Sequence, residues 1–355
     1  MPLRFASLDI PAGADFHVHL RDGAMKDTIV PTIRQGGVNQ VYVMPNLVPP
    51  VTTVARALEY KAALQKLDSS VDYLMTLYLH ETFLERGGEK DIIREAKEAG
   101  IVGVKSYPAG VTTNSASGVL SYEPFYLLFE AMQEAGLVLN LHGECPSDHK
   151  QGTTILNAES KFLPTLISIH QKFPKLKIYV RFPMSSISII SFVSGLHHCL
   201  PKILDNFLDT KNCTTAEAVQ AVRSCGDTVV GTITAHHLFL TVDDWAGDVF
   251  CYCKPVAKLP HDRLALLRAL LQSKVLTALE EAVERGDIKS SDVTPELLQG
   301  FLSDYGRKFY GVSNPKNERI TLRKGEEVII DSVKGDGLEV VPFRRGKTTW
   351  SVEWK

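Results

Sequence analysis

The stretch Asp15-Phe16-His17-Val18-His19-Leu20-Arg21-Asp22-Gly23 decides the fold of this chain. It starts as a β-like run, ends on an Asp-Gly step, and carries two histidines two residues apart. Side chains at that spacing on a strand share a face, so both imidazoles can converge on one ion. Zinc accepts imidazole nitrogen at about 2.0–2.1 Å, and two ligands from one rigid strand cost little entropy to organise. A bare His-x-His is as often two half-buried histidines. Here Asp15 precedes the pair and Arg21-Asp22-Gly23 follows, at the C-terminal end of a first strand, where parallel α/β sheets place their sites.

Working outward, short β-branched runs alternate with helix-length amphipathic segments, the pattern of a parallel sheet covered by helices. Strands are expected over residues 15–21, 40–46, 73–79, 102–107, 137–142, 176–180 and 228–235, and the clearest helices over 54–67, 91–99, 123–135 and 262–271. Gly100 and Gly136 stand where a helix ends and a strand begins, as C-cap glycines do. The fold class is therefore α/β, a (β/α)8 TIM-type barrel over residues 1–312. From residue 319 the texture changes to short β-like pieces, so 313–355 reads as a C-terminal β-rich extension packed on the barrel. Two places break the rhythm. Residues 179–212 form an atypical insert with a Ser/Ile-rich run and a His197-His198 pair. No eighth strand follows Leu271, because Ser273-Lys274 leads straight into a helix pattern over 275–285. Closure is what removes sheet edges, so a barrel incomplete at strand eight would expose unpaired backbone.

Composition sets outer limits. Of 355 residues, 44% are apolar and 23% charged, ordinary globular usage for one large barrel or two smaller domains. A net charge of −2 gives no electrostatic case for nucleic acid or an anionic membrane. No apolar run approaches the ~18–20 residues of a membrane span, and no signal-like region opens the chain. The six cysteines (145, 199, 213, 225, 251 and 253) have no CxxC spacing and read as reduced thiols. A cytoplasmic protein is the expectation. The Glu280-to-Asp287 run and Arg344-Arg345-Gly346-Lys347 read as solvated charge, and His236-His237, taken as neighbours on a strand, can offer at most one ligand.

The first stretch, taken with Met44-Pro45-Asn46-Leu47, Gly103-Val104-Lys105-Ser106-Tyr107-Pro108-Ala109-Gly110, Thr112-Thr113-Asn114-Ser115, Asn140-Leu141-His142-Gly143-Glu144, Thr234-Ala235-His236-His237-Leu238 and Cys253-Lys254-Pro255, resembles the dihydroorotase family. The likeness is to its short single-function, fungal-like type in the amidohydrolase superfamily. It implies a zinc-dependent cyclic amide hydrolase with two Zn2+ ions at the barrel mouth. His17 and His19 would bind one ion, Lys105 as a carboxylated lysine would bridge both, and His142 would bind the second. Arg21 and Asn46 match positions that hold a substrate carboxylate, Thr112 and Thr113 a loop that closes over it, and Lys254 a segment that serves it. The implied reaction is reversible ring closure of N-carbamoyl-L-aspartate to L-dihydroorotate in pyrimidine biosynthesis, on a small molecule, with no nucleic-acid or membrane partner; a homodimer is compatible with it. A hydantoinase- or allantoinase-like hydrolase is the neighbouring alternative, against which Arg21, Asn46 and the Thr112-Thr113 loop argue. A non-catalytic paralogue is the third.

Two departures stand out. The family's histidine ligand before Cys-Thr-Thr is Asn212 here, and aligned from strand six it falls on Phe182. His197 and His198 are the nearest substitutes. The strand-eight Gly-Ser-Asp-Ser-Ala-Pro-His motif, with its catalytic aspartate and a substrate-binding histidine, has no counterpart at the 274/275 junction. The catalytic residue is therefore unknown, and loss of a positioned acid–base typically costs about 10²–10⁴ in rate. We hypothesise mis-joined exons, retained intron over 179–212 and an exon missing at 274/275; transcripts encoding the chain as it stands would end that idea.

Overall fold

A computed structural model describes residues 3, 5–111, 113–181, 198–199, 214–233, 236–248, 251–252, 256–270 and 276–355. The first strand, β1 (Ser7–Pro11), stands outside the main sheet. That sheet begins with β2 (Gly13–Val18), β3 (Val38–Val43), β4 (Asp72–Tyr78), β5 (Gly103–Ser106), β6 (Val138–His142) and β7 (Ile178–Arg181), each parallel to the next. Two later segments complete it, β8 (His198–Cys199) and β9 (Val229–Ile233), with β9 parallel to β7. Seven parallel strands thus curl into most of a barrel, as the alternation of strand and helix signals requires.

The helices between them start and stop for legible reasons. Thr53 caps Val54–Leu67 by accepting from the Arg56 amide at 3.2 Å. Gly136 ends Tyr126–Ala135 at φ 68°, where a side chain would be strained. Gly103 serves a different need: a methyl there would meet the Val138 carbonyl at 2.3 Å and the Tyr42 hydroxyl at 2.5 Å. That gap lets Tyr42 reach Asn140 Nδ2 at 2.7 Å inside the barrel.

The helix Tyr305–Tyr310 plugs the floor, at the starts of the strands. Tyr310 stacks on Phe16 with ring centroids 4.8 Å apart, and Arg307 donates to the Ala12 carbonyl at 2.9 Å and to Asn39 Oδ1 at 2.8 Å. Side chains at this end support stability, and the opposite end is left for chemistry.

The eighth place in the sheet is filled from an unexpected source. No strand lies among the described residues between Ile233 and Arg319; Leu276–Glu284 is a helix, as its pattern predicts. Instead β8, drawn from the insert, pairs antiparallel with β9 (His198 with Ile233, Cys199 with Thr232) and lies against β2. The insert itself begins later than the sequence suggests. Tyr179, Val180 and Arg181 pair with Asn140, Leu141 and His142, so strand six of the barrel runs to Arg181. Phe182, His197 and Asn212 lie outside the described residues.

At the other end of the chain β10 (Arg319–Val328), the β11 (Val333–Gly335) and β12 (Leu338–Val340) hairpin and β13 (Thr348–Trp354) account for the short β-like pieces. β10 sits between β1 and β13. Two charge runs expected to be solvated are solvated only in part: Arg345, Gly346, Lys347, Glu284 and Arg285 are exposed, but Glu280, Glu281 and Arg344 are not. Glu280 accepts from Trp350 Nε1 at 3.1 Å and from Lys324 at 2.6 Å, while Arg344 pairs with Glu281 at 2.6 Å and lies 4.1 Å over the Phe239 ring. These charges tie the helix to the extension, and partners offset what burial costs them.

Candidate active site

The C-terminal ends of β2, β5 and β6 carry the expected residues, all of them buried, at the same end of one parallel sheet. His17, His19, Lys105 and His142 are 2%, 7%, 1% and 2% exposed. The β2–β3 register shifts between Asp15 and Val18. This irregularity lets the neighbours Phe16 and His17 both meet interior rings, Tyr310 and Tyr179 respectively. Bulge-like shifts of this kind re-aim side chains beside active sites. The His17 amide donates to Asp15 Oδ1 at 3.0 Å, which fixes the turn of the backbone.

His17 and His19 rings are 5.2 Å apart. His19 Nδ1 is 2.8 Å from Asn46 Oδ1, so Nδ1 carries the proton and Nε2 the lone pair, the tautomer a metal needs. Asn46 donates in turn to the Thr113 carbonyl at 3.0 Å, and Asn114 Nδ2 returns a bond to the Asn46 carbonyl at 3.0 Å. The loop is thereby latched to the first metal arm through Asn46. Thr112 and Lys254 lie outside the described residues.

Lys105 is the unusual group. Its Nζ has no hydrogen-bond partner among the described residues and sits 4.8 Å over the Tyr107 ring. Burial holds its pKa well below the ordinary lysine value, which favours the neutral amine, the form that adds CO2 with loss of a proton to give a carbamate. The other face of this arm is His142, 5.5 Å from the Tyr107 ring. Among the described residues no group of three or more His, Cys, Asp or Glu is gathered closely enough to hold a metal. Of the donors at this end of the sheet, the buried Lys105 amine, unmatched among the described residues, is the group whose chemistry suits conversion to an anionic oxygen ligand.

Arg21 takes a left-handed φ of 62°, held by a 2.5 Å bond from the Tyr60 hydroxyl to its carbonyl. Its guanidinium is buried without a hydrogen-bond partner among the described residues. Tyr60, Tyr78 and Tyr107 carry no role in the sequence reading, because a tyrosine at a strand end or on a helix face reads as core. His236 and His237 are both buried at the start of the short helix His236–Phe239, rings 4.2 Å apart, which corrects their expected alternation on a strand. A cavity of ≈490 Å³ lies to one side, lined by residues such as Tyr122, Glu144, Cys145 and Phe162, and none of the four metal candidates lines it.

No helix among the described residues is long and apolar enough to cross a membrane. No family model matches the chain. It is 41% identical to the probable dihydroorotase of Schizosaccharomyces pombe over 98% of this chain and 100% of that one. It is 40% identical to the dihydroorotase of Saccharomyces cerevisiae over 98% of both chains. The first alignment spans 377 positions against 355 residues here, so the relative holds residues that this chain lacks. Among solved structures, the Saccharomyces cerevisiae dihydroorotase in complex with 5-fluoroorotic acid superposes with a TM-score of 0.80 at 36% identity, over 99% of both chains.

Proposed function

The chain belongs to the dihydroorotase family, and from that premise we propose that its site is built to bind N-carbamoyl-L-aspartate and L-dihydroorotate beside two zinc ions. Metal-dependent cyclic-amide chemistry and a place in pyrimidine biosynthesis go with the family; the residue roles and the zinc count are this proposal's own. His17 and His19 would hold one ion and His142 the other, and Lys105, as its carbamate, would offer anionic oxygens to both. Bound there, zinc would polarise the ring carbonyl and lower the pKa of water. Arg21 and Asn46 orient the substrate carboxylate, Thr112 and Thr113 belong to a loop that closes over the ring and excludes water, and the segment at Lys254 serves the substrate. The observation that carries this reading is the buried amine of Lys105, without a hydrogen-bond partner among the described residues, at the end of the strand next to the one that bears His142. A cytoplasmic location and a homodimer belong to the same proposal.

The seam favours a second reading. With Asn212 in a ligand position and no strand-eight aspartate, the chain retains the groups that bind and lacks the group that moves the proton. It then holds ligand and metal but turns over about 10²–10⁴ more slowly than a complete relative. Metal analysis of the purified chain alongside a dihydroorotate hydrolysis assay separates the outcomes. Bound zinc with strongly reduced turnover supports both statements together; full turnover removes the second, and absence of both metal and ligand binding removes the first.

A further inference from the structure

Lysine is a poor residue to bury, because its ammonium gives up strong hydration, and a buried one is almost always paired. Lys258 is 4% exposed, and the chain around it is held at each step. Trp245 Nε1 donates to the Ala257 carbonyl at 2.7 Å, the Val242 amide to the Lys258 carbonyl at 2.7 Å, and the Leu259 amide to Asp262 Oδ2 at 3.1 Å. From this fixed base Nζ donates to the Ile155 carbonyl at 2.5 Å and lies 3.9 Å from Oε1 of the buried Glu144. Glu144 and Ile155 stand on the two sides of the loop that leaves β6 at His142 and returns as the helix Ala158–Lys172. Main-chain bonds close that loop on itself: the Cys145 amide donates to the Ala158 carbonyl at 3.0 Å, and Asp148 and Thr153 exchange bonds of 3.0 and 2.8 Å. Those bonds stay within the loop. The Lys258 ammonium ties it to the segment that follows β9.

We propose that Lys258 is a positioning residue for the His142 arm of the site. Glu144 lies two residues beyond His142, so an ammonium that holds its carboxylate fixes the course of the chain where His142 leaves the sheet. The bond to the Ile155 carbonyl holds the returning side of the loop from the same atom, and the loop cannot shift without stretching both contacts. Contacts one step outside a metal ligand set its orientation, and losing one typically weakens metal binding about 10- to 100-fold. Removing the ammonium would also leave the Glu144 carboxylate buried without this cation, which pushes that side of the loop toward water. The part played by His142 as a ligand rests on the reading of the previous subsection; the staple from Lys258 across the loop does not.

The test is titration of the full chain, stripped of metal by a chelator, with Co2+ in bicarbonate buffer, read by calorimetry and visible absorption. Wild type, His142→Ala and Lys258→Met are compared, and His142→Ala identifies which bound ion depends on that arm. In Lys258→Met this ion is expected to bind about 10- to 100-fold more weakly and with an altered visible spectrum, while the ion on His17 and His19 binds as in wild type. A lysine that serves stability alone would leave both affinities unchanged or weaken both alike, and either result overturns the proposal. A wild type that binds fewer than two ions removes the functional reading, and the positioning role with it; two ions in wild type and no selective loss in the variant removes the positioning role alone. If Lys258→Met does not fold, Lys258→Met combined with Glu144→Gln, which removes both charges, is held to the same selective loss.

Discussion

The arc from β2 to β7 and the seam between β9 and β2 belong to one sheet but differ in kind. Along the arc every strand finds a parallel neighbour, the helix between Thr53 and Asp68 is capped at its start, and a plugged floor supports the open mouth. The described residues of the proposed binding site lie along it: His17, His19, Arg21, Asn46, Lys105, Thr113 and His142. The seam has a two-residue antiparallel patch where a parallel strand should stand, and the proton-transfer residue of such a site would have stood there. Binding and proton transfer are thus carried by different strands, and one half can be lost while the other keeps its geometry. The clamp just past the insert shows how local the damage is. Buried Glu159 accepts from the Thr214 and Thr215 amides at 3.0 and 3.1 Å and from both hydroxyls, and Asp262 accepts from the Ala216 amide at 3.0 Å.

The largest effect should come from rebuilding the seam. Removing residues 182–211, changing Asn212→His and placing a Gly-Ser-Asp-Ser-Ala-Pro-His strand between Lys274 and Val275 should raise turnover of N-carbamoyl-L-aspartate about 10²–10⁴-fold. Unchanged turnover would break the contrast between the two regions. Next is the clamp: Glu159→Ala strands four donors and should lower unfolding free energy by about 3 kcal/mol in urea titration. A loss below about 1 kcal/mol would mean that Thr214 and Thr215 are not held from this side. In the arc, Lys105→Met should abolish metal content while stabilising the metal-free protein by about 1–3 kcal/mol, because an unmatched buried amine disappears. A variant that keeps its zinc would rule out the bridging role. The smallest effect lies far from the mouth. Lys355 and then Arg319 hold the Asp9 carboxyl below its ordinary value of 3.8. Its folded pKa is depressed, so its contribution is present above that value and is lost as pH falls through the folded one. Asp9→Asn should cost about 0.5 kcal/mol at pH 6 and less as the pH is lowered below 3.8, read by denaturation across that range.

The arc was legible because its signals are local. The helix Val54–Leu67 falls where its pattern and cap place it, and His17, His19, Lys105 and His142 are buried at strand ends, as their sequence positions imply. The seam was legible only as an absence. Nothing in a Ser/Ile-rich run announces that His198–Cys199 will pair with Ile233 and Thr232, since such pairing depends on which edge is left open. Ser7–Pro11 was missed for a similar reason: its partner lies near the other end of the chain. Tyr78 and Tyr107 look like core aromatics in sequence, and only a three-dimensional census of donors and acceptors separates a satisfied hydroxyl from one unmatched among the described residues.

β1 has a consequence for how the molecule is made. Asp9 and Arg319, bonded across β1 and β10, are 310 residues apart. During synthesis Ser7–Pro11 leaves the ribosome as a bare edge and stays so until almost the whole barrel has followed it. The barrel can collapse in the meantime, but its outer fastening arrives late, and long-range pairings of this kind are slow to form. For that interval the nascent chain presents an open strand to its neighbours, which makes this short segment a natural place for chaperones to act.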